Sequence, residues 1–189
     1  MKKIIALALF LATSIETQTF GYYCDKPYKP EYFKHWIDAD GDCLDTRHEA
    51  LSSTSLIMPK IANCRVVEGK WFDEYSGNYY TNPSDLDYDH IVPLKEAWIS
   101  GACDWSPKQR QDFANDVEEL ILVDGDLNKS KGCKTPAEWM PPRTEYQCEY
   151  VKRWSKIKKK YNLETNSKEK NALTRISSER RSEEHTSEL

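Results

Sequence analysis

Four consecutive apolar residues, Leu120-Ile-Leu-Val123, stand in a chain that is otherwise rich in charge. A run this short and this apolar reads as a buried strand, and the Asp124-Gly125 pair after it turns the chain. A short helix carrying Asn128 is expected next. Upstream, Leu86 to His90 reads as another short strand, and Pro93 suits the first turn of a helix running to Ser100. Ser106 and Pro107 are the cap and first turn of a further helix ending near Asn115. Thr135-Pro136-Ala-Glu138 starts one more helical turn. Tyr146, Tyr150, Trp154, Ile157 and Tyr161 mark one face of a helix from about Thr144 to Tyr161.

The first half is less regular. Pro27, Pro30 and several aromatics between Cys24 and Asp42 suggest an irregular arm packed on the domain. Leu44, His48, Leu51 and Leu56 predict a helix over Asp45 to Leu56, capped by Asp45 or Thr46. Cys64 to Glu68 and Trp71 to Tyr75 read as strands paired around Gly69, and Ser76-Gly77-Asn78 turns the chain toward Tyr79-Tyr80. The expected class is α+β, with one domain over 21–163. Residues 164–189 show no apolar period and read as a disordered tail. The last nine, Arg181 to Leu189, resemble the in-frame translation of a sequencing-library adapter, so they are expected to be foreign to the natural protein.

Lys2-Lys3, an apolar run from Ile4 to Ala12 and then small and polar residues have the order of a secretory signal peptide, placed over 1–20. No later run approaches the roughly 18 apolar residues of a membrane helix. The expected product is therefore a protein with no membrane attachment in its mature form, secreted or periplasmic and monomeric. Cys24, Cys43, Cys64, Cys103, Cys133 and Cys148 follow the leader, and an even number in an exported chain suggests disulfides. Connectivity is not readable from spacing; the guesses are Cys43 with Cys64, Cys103 with Cys133, and Cys24 with Cys148. No CxxC pair is present, which disfavours a cysteine zinc site.

The net charge of -4 argues against a surface coated in positive charge for gripping nucleic acid. Any such contact must be local. Between 127 and 161, ten lysines and arginines stand against three glutamates. This patch is a candidate for neutralising phosphates, with a solvated helix face as the plain alternative.

The chemistry concentrates in Asp87-Tyr-Asp89-His90-Ile-Val-Pro93-Leu94 and Asn128-Lys-Ser-Lys-Gly132. A phosphodiester repels nucleophiles and has a poor leaving group, so its hydrolysis needs an activated water and a cation at the phosphate. His90, neutral near pH 7, can take a proton from water; Asp89 and Asn128 can offer oxygens to a hard cation. One divalent ion is implied, Mg²⁺ before Mn²⁺, with Ca²⁺ and Zn²⁺ admitted.

These two segments resemble the HNH endonuclease superfamily. Asp42-Cys-Leu-Asp-Thr-Arg47, Asp89 to Trp98, Phe113-Ala-Asn-Asp116 and Pro136 to Pro142 narrow the resemblance to secreted members of the GmrSD-type restriction endonuclease C-terminal-domain family. It covers about residues 36 to 163. The resemblance implies a ββα-metal (His-Me finger) core and His90 as general base. It also implies Asp89 and Asn128 as metal ligands, and DNA products with 5′-phosphate and 3′-hydroxyl ends. Where the family usually has its middle asparagine, bracing the histidine loop, this chain has Glu119.

Lys129, Lys131, Arg47 and Arg143 are the candidates for holding substrate. Low sequence specificity is expected, because phosphate contacts are easier to find here than base-reading elements. RNA is an alternative substrate. A different class of function is also open: a disulfide-stapled, non-enzymatic module binding calcium at Asp38, Asp40, Asp42 and Glu49, although Cys43 stands where an EF-hand turn wants glycine.

Overall fold

The computed structural model describes the backbone of residues 24–187 and the side chains of residues 24–178. The leader expected over 1–20 and the side chains of the nine suspected adapter residues lie outside this range. The fold is α+β: six α-helices among the described residues, with three small antiparallel sheets of two strands each.

The sheet that matters most joins β5 (Leu86–His90) to β6 (Leu120–Asp124), antiparallel, with Leu86 opposite Asp124 and His90 opposite Leu120. Leu120 to Val123 are all buried, as a four-residue apolar run requires. Asp124 then ends the strand and caps the next helix, its carboxylate accepting from the amides of Asp126 (3.0 Å) and Leu127 (2.8 Å). That helix, α4 (Gly125–Lys131), therefore starts without a linker. The unit is strand, strand, helix.

Around it, α1 (Thr46–Thr54) is capped by Asp45, which accepts from the His48 amide at 2.9 Å. In the first half the turn at 76–78 brings Tyr79-Tyr80 back as expected, but the strand at 65–68 pairs differently from expectation. β1 (Lys60–Ala62) pairs with β2 (Arg65–Glu68), and β3 (Trp71–Phe72) with β4 (Tyr79–Tyr80). Asn63 and Cys64 both have positive φ, 52° and 59°, the backbone of a two-residue hairpin turn with positive φ at both centres. No β2–β3 hairpin forms at Gly69 because Trp71 folds back over it. Its indole would lie 2.4 Å from a Cβ on Gly69, while its Nε1 donates to the Leu51 carbonyl at 2.8 Å. Burying the indole overrides local pairing.

The remaining helices are α2 (Leu94–Ile99), α3 (Pro107–Ala114), α5 (Thr144–Lys160) and α6 (Ser167–Ser187). Ser106 and Gln109 form a reciprocal capping box at α3. Thr135 to Glu138 forms the single turn expected, with the Trp139 amide donating to the Thr135 carbonyl at 3.0 Å and the Glu138 carboxylate accepting from the Thr135 amide at 3.0 Å. Tyr146, Tyr150, Val151, Trp154 and Ile157 of α5 are buried with Phe113, Ile91 and Val92 in the main core.

The tail expected to be disordered from 164 is corrected. α6 packs Ala172 and Ile176 against the core and buries Glu169, which accepts from the Trp154 indole and pairs with Lys158 at 3.3 Å. The spacing Glu169, Ala172, Leu173, Ile176 is helical, but so few apolar residues reveal no period until α5 is there to receive them.

The arm is fastened at both ends. Cys43–Cys64 forms as expected, but Cys24 bonds to Cys103, and Cys133 and Cys148 are free. The guesses Cys103–Cys133 and Cys24–Cys148 are therefore corrected. The arm lies along α2, where Trp98 Nε1 donates to the Lys26 carbonyl at 2.8 Å, and this path carries Cys24 to Cys103. No described helix is long and apolar enough to cross a membrane.

Candidate active site

Alternation along β5 sends Asp87 and Asp89 to one face and Tyr88 and His90 to the other. At the end of the strand the two faces meet around a cavity of about 390 Å³ whose lining includes Asp89, His90 and Asn128. The three residues singled out from the sequence are thus brought together. His35, Trp36 and Lys95 join them.

His90 is buried against two aromatic rings. The Trp36 indole stacks on it at 5.8 Å between centroids, and the Phe113 ring lies nearly parallel to it at 6.5 Å. Its Nε2 lies 3.0 Å from the Ala114 carbonyl oxygen. A carbonyl can only accept, so Nε2 carries the hydrogen and the neutral ring keeps its lone pair on Nδ1. Burial lowers the pKa of this imidazole to about 3, against the opposing effect of the Ala114 bond.

Asp89, only 5% exposed, is held from two sides. Lys131 Nζ reaches both carboxylate oxygens at 2.9 and 2.8 Å and also the His90 carbonyl at 2.7 Å. Tyr75 donates its hydroxyl to Oδ2 at 2.7 Å. Burial pushes the Asp89 carboxyl above the usual range, while Lys131 and Tyr75 oppose that rise. Desolvation drives the Tyr75 hydroxyl well above its ordinary value, which keeps it a donor.

Two residues three apart on α4 make these contacts from one helix face. Asn128 Nδ2 donates to Asp87 Oδ2 at 3.1 Å, and Lys131 reaches Asp89. Lys131, expected from the basic patch to hold substrate, is fully buried as a counter-charge to Asp89. Arg47 and Arg143, also expected to hold substrate, have partners within the protein. Arg47 Nη2 donates to the carbonyls of Pro83 (2.9 Å) and Leu86 (3.0 Å). Arg143 pairs with Glu74 and covers the Phe72 ring at 4.9 Å. Lys129 is exposed and pairs with Asp126 at 3.0 Å on the surface.

Glu119 stands immediately before β6, fully buried. Its carboxylate accepts from the Val92 amide at 2.9 Å through Oε1, and its carbonyl accepts from Ile91 at 2.9 Å. It thereby ties down the loop that follows His90. Burial pushes its carboxyl well above the ordinary value, with Lys131 countering.

Away from the cavity, oxygens of Asp38, Asp40 and Asp42 lie within 4.8 Å of one another. They already accept loop amides: Asp38 from Gly41 and Cys43, Asp40 from Asp42, and Asp42 from Leu44. Glu49 is close enough that these carboxylates, second to burial, raise its pKa.

His35, Trp36 and Lys95 at the cavity were not singled out from the sequence. Lys95 lies inside the segment that carries the family resemblance, five positions after His90, and its place on a short helix beside Pro93 was the available signal. His35 and Trp36 sit in an arm without periodicity. His35 comes within 6.0 Å of His90, ring to ring and perpendicular, and only the two disulfides and the packing of the arm put it there.

The chain matches the family described as GmrSD restriction endonucleases, C-terminal domain, over residues 45–176. It is 42% identical over 149 residues to a protein of Arthroderma benhamiae named "Uncharacterized secreted protein", covering 78% of this chain and 72% of that one. No solved structure matches it.

Proposed function

Since this chain belongs to the family of GmrSD restriction endonuclease C-terminal domains, a nuclease family, we propose that it is an exported, metal-dependent endonuclease hydrolysing DNA phosphodiester bonds through an HNH-type ββα core. The carrying observation is the convergence of His90, Asp89 and Asn128 on one cavity at the end of the β5–β6–α4 unit.

The donor set suits a hard divalent cation. Asp89, Asn128 and, beside Asn128, the carboxylate of Asp87 all offer oxygen, the donor a hard cation prefers, while His35 and the free Cys133 also line the cavity. Asp89 and Asn128 would hold the ion, most simply Mg²⁺. When bound, it stabilises the charge that builds at phosphorus and on the departing oxygen. Asp89 shares its oxygens with Lys131, so its pull on an added cation is already partly spent; the ion is expected to bind weakly and to exchange.

His90 acts through Nδ1. It takes a proton from water, the hydroxide attacks phosphorus, and the bond to the 3′ oxygen breaks, leaving 5′-phosphate and 3′-hydroxyl ends. In the free protein burial keeps the ring unprotonated; the negative charge of a phosphodiester entering the cavity raises its pKa toward the range a base needs. The Ala114 carbonyl holds the ring in the required tautomer, and Glu119 holds the loop behind it. Low sequence specificity fits a cavity that addresses the backbone.

Digestion of plasmid DNA with and without chelator, beside His90→Ala, tests this. Cutting is expected to need the divalent ion and to fall by roughly 10²-fold or more in the variant. Undiminished cutting by His90→Ala refutes the assignment. Parallel digestion of RNA and single-stranded DNA decides the substrate class. The Asp38, Asp40 and Asp42 cluster favours one second reading, a calcium-stabilised binding module. On that reading chelator changes thermal stability and no cutting is seen at all.

A further inference from the structure

With Lys131, Arg47 and Arg143 all engaged inside the protein, the proposed nuclease needs another cation at its cavity. α2 supplies one. Its residues alternate sharply in environment: Glu96 turns inward to Lys158 at 2.7 Å, Ala97 and Trp98 are buried, and Lys95 is exposed. Successive helix positions differ by about 100°, so anchoring Glu96, Ala97 and Trp98 in the core leaves Lys95 facing out. What it faces is the cavity of Asp89, His90 and Asn128.

Lys95 is the lysine or arginine of that lining, and among the described residues no carboxylate pairs with it. The charge of Asp89 is met by Lys131 behind it, and His90 is neutral. The ammonium of Lys95 is thus positive charge at the cavity that no neighbouring side chain takes up. A long, unbound, strongly hydrated ammonium suits a phosphate as a point charge, without bidentate geometry.

We infer that Lys95 grips a backbone phosphate of the nucleic-acid strand next to the one that is cut. This deepens the nuclease reading and rests on it. A contact made equally in the bound substrate and in the transition state strengthens binding without speeding the chemical step. Lys95 is therefore a binding residue, and its loss raises KM and leaves kcat alone.

The experiment measures binding of a fluorescent duplex oligonucleotide in EDTA, where no turnover occurs, over a range of salt. Wild type, Lys95→Gln and Lys95→Arg are compared. Lys95→Gln is expected to weaken binding roughly ten-fold at low salt and to make the log–log salt slope shallower by about 0.9, the value of one phosphate contact on duplex DNA. Lys95→Arg keeps the charge and is expected to keep the slope. With Mg²⁺ present, Lys95→Gln should raise KM by the same factor at unchanged kcat. A Lys95→Gln protein with wild-type affinity and slope overturns the inference, as does a fall in kcat at constant KM. Wild type that shows no salt-dependent binding also overturns it. Failure of the nuclease reading shows elsewhere, as wild type that cuts no nucleic acid with Mg²⁺ present, while the salt slope in EDTA continues to report on Lys95 directly.

Discussion

Two lysines of the basic stretch, Lys131 and Lys158, are both almost completely buried, and both neutralise buried acids. Lys158 binds Glu96, Ser100 and Glu169 and so joins α2, α5 and α6 deep in the core. Lys131 binds Asp89 and the His90 carbonyl at the wall of the cavity. The first network has structural partners only. The second holds the carboxylate proposed to hold an ion and the backbone of the residue proposed as base. The same chemical device thus serves cohesion in one place and orientation in the other.

The largest effect should come from breaking the second network. Lys131→Met leaves Asp89 buried without its counter-charge, which costs about 3–5 kcal/mol, and it should also abolish cutting by the fraction that remains folded. Denaturant titration and single-turnover cleavage read the two losses separately. Lys158→Met is expected to cost a similar amount by denaturation, about 3–5 kcal/mol, yet to leave kcat per folded molecule within about two-fold, since its partners do not touch the cavity. If both variants lose activity per folded molecule alike, the contrast between the networks is wrong.

A smaller effect concerns pH. Burial holds the His90 pKa near 3, below the ordinary value of about 6.5 for an exposed imidazole. Between these values the unfolded chain binds a proton that the folded one refuses. The contribution of His90 to stability is therefore complete above pH ~6.5 and is lost progressively as pH falls toward 3. His90→Gln, whose amide can still donate to the Ala114 carbonyl, should flatten this part of the stability profile measured by chemical denaturation.

The smallest effect is predicted on the surface. Lys156 pairs with Glu118 at 2.7 Å, both exposed, and Lys156→Ala should leave the melting temperature unchanged within error. A clear drop there would mean that position in the stretch says less about a lysine's worth than this comparison holds.

Much of the candidate site was legible. β5, β6 and the helix starts at Asp45 and Ser106 are written in local chemistry: an apolar run, cap residues and prolines act on their immediate neighbours, whereas Asp124-Gly125, expected as a turn, caps and opens α4 directly. The pairing of motif residues from 89–90 with Asn128 was also legible, through the family resemblance. The fate of each cation was not. Lys131 and Lys129 are two residues apart in one motif, yet one is buried and the other exposed, because only the packing of α4 on β5 decides which helix face turns inward. The contacts of Arg47 and Arg143 were hidden for the same reason, their partners being distant carbonyls and Glu74.

What the amino-acid order determined alone was the set of local elements and the residues able to do the chemistry, because caps, turns and apolar runs are short-range. Tertiary structure decided the rest: the Cys24–Cys103 bridge, the ordering of α6 and the placing of His35, Trp36 and Lys95 at the cavity. Each of these depends on burial against residues remote in the chain, and burial is a property of the assembled surface rather than of any one segment.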